Sequence, residues 1–163
     1  MKQKGFTIIE LLVVVAIMAL LMTIAGLAYS KMMSTYRLES QVRQLYADLL
    51  NARVQAMQKN RIYFVTYAAG SYSVVEDTND SGGAAPDAGD IPIPGLTRVL
   101  TYPASSWAGG QTVVMSSRGL VSPENTTIAF TPSGVIAAMD CINLSITRIS
   151  LGKLDGSNAC IAK

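Results

Sequence analysis

The chain has 163 residues, enough for one domain of ordinary size. Half of them are hydrophobic and 15% are charged, an excess of apolar residues that a soluble domain does not need. The net charge of +2 argues against binding nucleic acid through bulk charge. The absence of histidine removes the commonest metal ligand and the commonest general base together.

The apolar excess is concentrated. Between Leu11 and Ala28 only Thr23 and Gly26 interrupt a run of Leu, Val, Ile, Met and Ala. A helix needs about 20 such residues to cross a hydrocarbon core roughly 30 Å thick. Lys2 and Lys4 precede the run and hold the N-terminus in the cytoplasm by the positive-inside rule. Three readings fit this arrangement. One is a secretory signal, with Gly26-Leu27-Ala28 as a small-x-small cleavage site. The second is a plain signal anchor.

The third reading turns on Glu10, a carboxylate placed at the entrance to the apolar run. An ionisable group costs about 2.5–3.5 kcal/mol at the centre of a membrane helix and less near its ends, so it asks for a partner. Cleavage after Gly5 would give Phe6 a free α-amino group one helical turn from Glu10. That cation would serve Glu10 in the same chain or in a displaced neighbour. In an uncut chain it does not exist.

The stretch Lys4-Gly5-Phe6-Thr7-Ile8-Ile9-Glu10-Leu11-Leu12-Val13-Val14 resembles the class III leader and N-terminus of type IV pilins and type II secretion pseudopilins. The resemblance implies that a prepilin peptidase cuts after Gly5 and N-methylates Phe6. It implies that Glu10 pairs with the N-terminal amine of an adjacent subunit during assembly. It also implies an inner-membrane assembly platform and other pilin or pseudopilin subunits as partners. The chain would sit in the bacterial inner membrane with a periplasmic head before it enters the filament. One departure is the lack of a proline in mid-helix, where the chain reads Ala25-Gly26-Leu27-Ala28. Gly26 weakens a helix by only about 1 kcal/mol relative to alanine.

Past the apolar run, Leu38, Val42, Leu45, Leu49, Ala52 and Ala56 step by alternate fours and threes. That is the seam of an amphipathic helix, and Arg37, Glu39, Arg43, Asp48 and Arg53 fall mainly off it. The helix is expected to end near Asn60. Met18, Met22, Met32 and Met33 read as packing residues. Tyr29 and Tyr36 suit a membrane interface or a site between helices.

Beyond Asn60 the pattern alternates. Strands are expected at 62–67 and 71–75 around an Ala69-Gly70 turn, and then at 97–102, 112–116, 127–131, 135–139 and 142–149. Pro132-Ser133-Gly134 reads as a turn. The expected fold class is α+β, with one long helix packed on a small antiparallel sheet, as in pilins. The expected segments are a leader at 1–5, a membrane or filament-core helix at 6–29, an amphipathic helix at 30–60 and a β-rich head at 61–163. The segment from Leu50 to Asn60, leading directly into a strand, resembles the helix end of H-type minor pseudopilins and FimT-like minor pilins.

Cys141 and Cys160 lie outside any metal motif and read as a disulfide, with two buried thiols as the alternative. A loop of about 20 residues closed in this way gains roughly 3 kcal/mol in the chain-entropy model. Asp77, Asn79 and Asp80 open an oxygen-rich loop that begins like a calcium site. The twelfth position holds Ala88 in place of a bidentate glutamate, so a solvated, mobile loop is the preferred reading and no cofactor is expected. Arg148, Lys153 and Lys163 are too few to read a phosphate backbone strongly, yet they keep a DNA-binding minor pilin as the alternative function. Ser150 and Lys153 have S-x-x-K spacing without any companion motif. The reading is therefore of a structural minor pilin or pseudopilin, near the tip of its filament, and not of an enzyme.

Overall fold

The computed structural model describes residues 7–107 and 112–163, leaving aside the side chains at 24, 25, 27 and 28. Helix α1 runs unbroken over Ile8–Lys59, 52 residues, or about 78 Å at 1.5 Å per residue. Thr7 caps its start. Asn60 ends it in the left-handed conformation (φ 54°) that asparagine tolerates, with its N–H returned to the Ala56 carbonyl. The helix end expected at Asn60 is therefore where the chain turns.

Ten short strands follow. They are β1 (Tyr63–Ala68), β2 (Ser71–Glu76), β3 (Ile91–Pro92), β4 (Arg98–Val99), β5 (Thr112–Met115), β6 (Val121–Ser122), β7 (Thr126–Ala129), β8 (Cys141–Leu144), β9 (Ile149–Leu154) and β10 (Cys160–Ala162). The β1–β2 hairpin turns at Ala69 and Gly70, both at positive φ, as the alternation predicts.

The strands form two antiparallel sheets, not the single sheet expected. The first has the order β3-β2-β1-β5-β6, with β4 also paired to β2; the second has the order β10-β9-β8-β7. Two strand expectations fail locally. The span 142–149 is most of β8, the turn after it and the first residue of β9, closed where Ser145 N–H donates to the Arg148 carbonyl. The span 135–139 joins no ladder; Thr35 Oγ1 donates to the Ile136 carbonyl and Ala138 N–H donates to Glu39. The backbone of Ile136 and Ala138 is bound by helix side chains, so the span lies on α1 as a strap. The turn at Pro132–Gly134 is present, with Val135 N–H donating to the Pro132 carbonyl.

Both sheets rest on one stripe of α1. Leu38, Val42, Leu45, Leu49, Ala52 and Ala56 are all buried, as their spacing predicts. They meet Tyr63, Val65, Val74, Val113 and Met115 of the first sheet and Ile128, Ile142, Leu144 and Ile149 of the second. Fully burying a Leu or Val of this kind contributes roughly 1.5–3 kcal/mol. The head is thus fixed to the C-terminal half of α1, and the N-terminal half extends away from it.

Candidate functional site: an assembly surface

Gly5 and Phe6 lie outside the described residues. The helix start beside them is well defined. Thr7 Oγ1 accepts from the Glu10 N–H at 3.4 Å, and the Thr7 N–H donates to Glu10 Oε2 at 3.3 Å. Each residue satisfies an N–H that the helix geometry leaves unpaired. Among the described residues Thr7 is the partner that Glu10 has. The expected lone carboxylate is therefore the closing half of a capping box. The T-x-x-E spacing at Thr7–Glu10 carries that signal in the sequence, overlapping the cleavage motif.

From Ile8 to Met22 the large apolar side chains are exposed on every face; Ile9 is 71% exposed. An apolar surface of this size is not left to water. Among the described residues no helical stretch is long and apolar enough to cross a membrane. The described side chains run continuously only to Thr23, inside the apolar run that the sequence carries to Ala28.

Higher on the helix, Tyr29, Met32 and Tyr36 are exposed opposite the core stripe. Beside Tyr36 a cleft of about 310 Å³ opens between α1 and β4. Three of its lining residues, Gln44, Tyr72 and Arg98, are held by a buried polar group that the sequence places off the seam. Asp48 is 5% exposed. It accepts from the Tyr72 hydroxyl at 2.6 Å, from Arg98 Nε at 2.8 Å and from Gln44 Nε2 at 3.0 Å. Burial, and then the hydrogen bond to the Asp48 carboxylate, push the Tyr72 phenol far above its usual range. The signal for Asp48 was positional: it follows Leu45 by three residues and precedes Ala52 by four, on the flank of the seam.

The acidic loop is exposed to solvent over 79–85 and 87–89 and is tied down at its base. Asp77 is 1% exposed, and its carboxylate accepts from the backbone N–H groups of Ser81 and Gly82. Arg61 donates to the carbonyls of Asp77 and Thr78 and ties down the loop base. Asn79 donates to Asp87, so its amide faces a carboxylate. Asp77 Oδ1 and Asn79 Oδ1 both accept from the Ser81 N–H, and among the described residues no group of three or more acidic, histidine or cysteine side chains could hold a metal.

Cys141 and Cys160 are bonded, with Cα atoms 5.9 Å apart. Both pair with β9, one from each side, so the bridge passes over that strand at Gly152. A Cβ on Gly152 would lie 2.8 Å from Cys160 Sγ and would overlap the Ile161 carbonyl. Gly152 therefore serves the crossing of the disulfide. Of the three tail cations, Arg148 and Lys163 are exposed and Lys153 is half-buried on β9.

The family comparisons agree with this architecture. A model described as "Prokaryotic N-terminal methylation motif" matches residues 1–26, and one described as "Type II transport protein GspH" matches residues 41–161. No curated protein and no solved structure matches the chain. The second match covers most of the chain, and it covers the part that folds as the two-sheet head with its helix. The family is structural in character, its members working beside other pilin-like subunits. A methylation motif before the apolar helix and the GspH match across the head together place the chain in the GspH family of type II transport proteins, the minor pilins of type II secretion and type IV pilus systems.

Proposed function

We propose that a prepilin peptidase cleaves the chain after Gly5 and methylates Phe6, and that Glu10 then recruits the mature subunit into a pseudopilus or pilus near its tip. Before assembly the apolar segment of 6–29 anchors the chain in the bacterial inner membrane, with the head on the periplasmic side. The observation that carries this reading is the position of Glu10. It stands exposed in the first turn of an apolar helix half whose described large side chains are all exposed. A carboxylate there has no task inside the fold beyond the cap. After cleavage a new amine one turn away gives it a charged partner. Apolar packing supplies the rest of the attraction between neighbouring helices, and the carboxylate sets their axial register.

The experiment uses the full chain expressed with a prepilin peptidase and companion pilin-like subunits. Gly5→Leu is expected to stay at precursor length. Glu10→Ala is expected to insert and be cleaved, yet to be depleted from sheared filaments. Normal recruitment of the Glu10→Ala subunit would overturn the role given to that carboxylate, and cleavage of Gly5→Leu at the same position would overturn the processing step.

A further inference from the structure

The cleft between α1 and β4 has features that the fold does not use. Tyr36, Arg37, Gln44, Arg98 and Val99 line it. Val99 is 85% exposed and Tyr36 is 65% exposed, so two large apolar side chains form its rim. Arg37 has no hydrogen bond or ion pair among the described residues. The carboxylates nearest to it along the helix are already engaged. Glu39 pairs with Arg43 at 3.1 Å and accepts from the Ala138 N–H at 2.8 Å. Asp48 is buried beneath Tyr72 and Arg98. The Asp48 bond uses Nε of Arg98, and a guanidinium has further N–H donors at its end. The cleft thus offers one unpaired guanidinium and the outer edge of a second, with Tyr36 and Val99 at its rim and Ser40, Gln41, Gln44 and Thr101 also in its lining. A carboxylate suits this arrangement, because a planar guanidinium binds it in a bidentate fork.

The position of the cleft indicates what brings that carboxylate. Tyr29, Met32 and Tyr36 step by three and four residues along the side of α1 away from the core. They continue the spacing of Leu11, Val14, Met18 and Met22 below them, all exposed. Exposed apolar side chains therefore follow one line up to Met22 and again from Tyr29 to the cleft. A helix packed along the lower part of that line would be led past Tyr36.

From this we infer that the cleft receives an aspartate or glutamate from the helix of a neighbouring pilin-like subunit, held by Arg37 and Arg98 while Tyr36 and Val99 cover the contact. The inference rests on the assembly role proposed above and adds the contact that selects the neighbour. Glu10 would be common to every subunit with this motif, whereas a basic cleft at one height accepts only a helix with an acid at the matching height.

The test is photo-crosslinking in bacterial membranes, with the full chain expressed beside its companion subunits. A benzophenone amino acid is placed at Val99 in one variant and at Leu11 in another. The Leu11 probe reports on helix assembly itself. The Val99 probe is expected to join a companion subunit within one helical turn of an Asp or Glu, as mapped by mass spectrometry. Arg37→Glu should reduce that product about tenfold, and Arg37→Lys should fall between Arg37→Glu and the unaltered chain, since lysine keeps the charge and loses the fork. Leu11 adducts should persist in both. Leu11 adducts without Val99 adducts would sink the cleft proposal and leave the assembly reading standing. A Val99 product that survives Arg37→Glu, or that maps to a second copy of this chain or to a segment lacking an acid, would sink it as well. Loss of both products would overturn the assembly reading and the cleft with it. Salt-sensitive retention of duplex DNA by the purified full chain, abolished by Arg37→Glu, would assign the cleft to phosphate instead.

Discussion

The hydroxyl of Tyr72, on the second strand, donates a 2.6 Å hydrogen bond to the buried carboxylate of Asp48, on the helix. The same carboxylate takes Arg98 from β4, so three separate elements meet at one oxygen pair. Removing Asp48 leaves a buried phenol and an arginine without their acceptor. Asp48→Ala is expected to cost about 2–3 kcal/mol, less than a fully buried pair because Arg98 is partly exposed, and Tyr72→Phe about 1 kcal/mol. Urea denaturation of the full chain in detergent micelles checks both values. A double variant that loses only as much as Asp48→Ala alone would show that the two groups act through each other.

The raised phenol of Tyr72 also fixes a pH dependence. In the fold burial and Asp48 keep it protonated, while in the unfolded chain it ionises near its ordinary value of about 10. Its contribution is complete below about pH 10 and falls as pH rises above that value, because the unfolded state then releases a proton that the folded state retains. Unfolding midpoints at rising alkaline pH should therefore decline, and Tyr72→Phe should flatten the decline. A decline of equal steepness in that variant would assign the effect to other groups, of which Tyr63 and Lys59 shift in the same direction.

Glu76 gives the opposite limb. Burial opposes its charge, but Lys59 at 2.6 Å and the Tyr63 hydroxyl at 2.8 Å outweigh that and hold its carboxyl below the usual 4.5. The stability it adds is present above pH 4.5 and is lost as pH falls through the lower folded value. Glu76→Gln should lower the midpoint at neutral pH and make the chain less sensitive to acid. Thermal scans at neutral and acid pH read that difference.

Gly152 and the disulfide form a coupled prediction. Gly152→Ala places a methyl group against Cys160 Sγ and the Ile161 carbonyl and should cost about 1–3 kcal/mol. Replacing both cysteines by serine should cost about 3 kcal/mol. In that background the cost of Gly152→Ala should shrink without vanishing, since the Ile161 carbonyl remains. An unchanged cost would show that the bridge itself does not crowd the glycine.

The loop after β2 yields a ligand test. Because Asp77 is buried and holds the N–H groups of Ser81 and Gly82, Asp77→Ala should lower the unfolding midpoint by an amount equivalent to about 1–3 kcal/mol. Added millimolar calcium should leave the midpoint of the unaltered chain where it is. A rise with calcium would restore the metal-loop reading of Asp77, Asn79 and Asp80.

What the sequence made legible followed from strong periodicity. The steps from Leu38 to Ala56 gave the buried stripe residue by residue, because one helix face carries all of it. The turn at Ala69–Gly70 and the end at Asn60 were legible because few residues adopt positive φ there. The division into two sheets was not, since short apolar runs such as 142–149 do not show where a hairpin closes. Val135–Met139 looked like a strand because β-branched and apolar residues suit both a ladder and a strap against a helix. Asp48 was hidden for another reason: its burial depends on Tyr72 and Arg98, which arrive from distant parts of the chain. Glu10 carries two signals at once: it stands five residues past Gly5 in the leader motif and three past Thr7 in a capping box.

The way the head sits on α1 bears on how the subunit carries load. Its apolar anchors lie in line along the second half of the helix, from Leu38 to Ala56. Polar ties at the near end join Thr35 to Ile136, Glu39 to Ala138 and Gln41 to Tyr102. A pull on the N-terminal half, directed along the helix axis, would therefore stress these contacts in shear and all at once. The attachment resists sliding by sharing the force among many side chains, whereas a head hung from one end of the rod would peel away contact by contact.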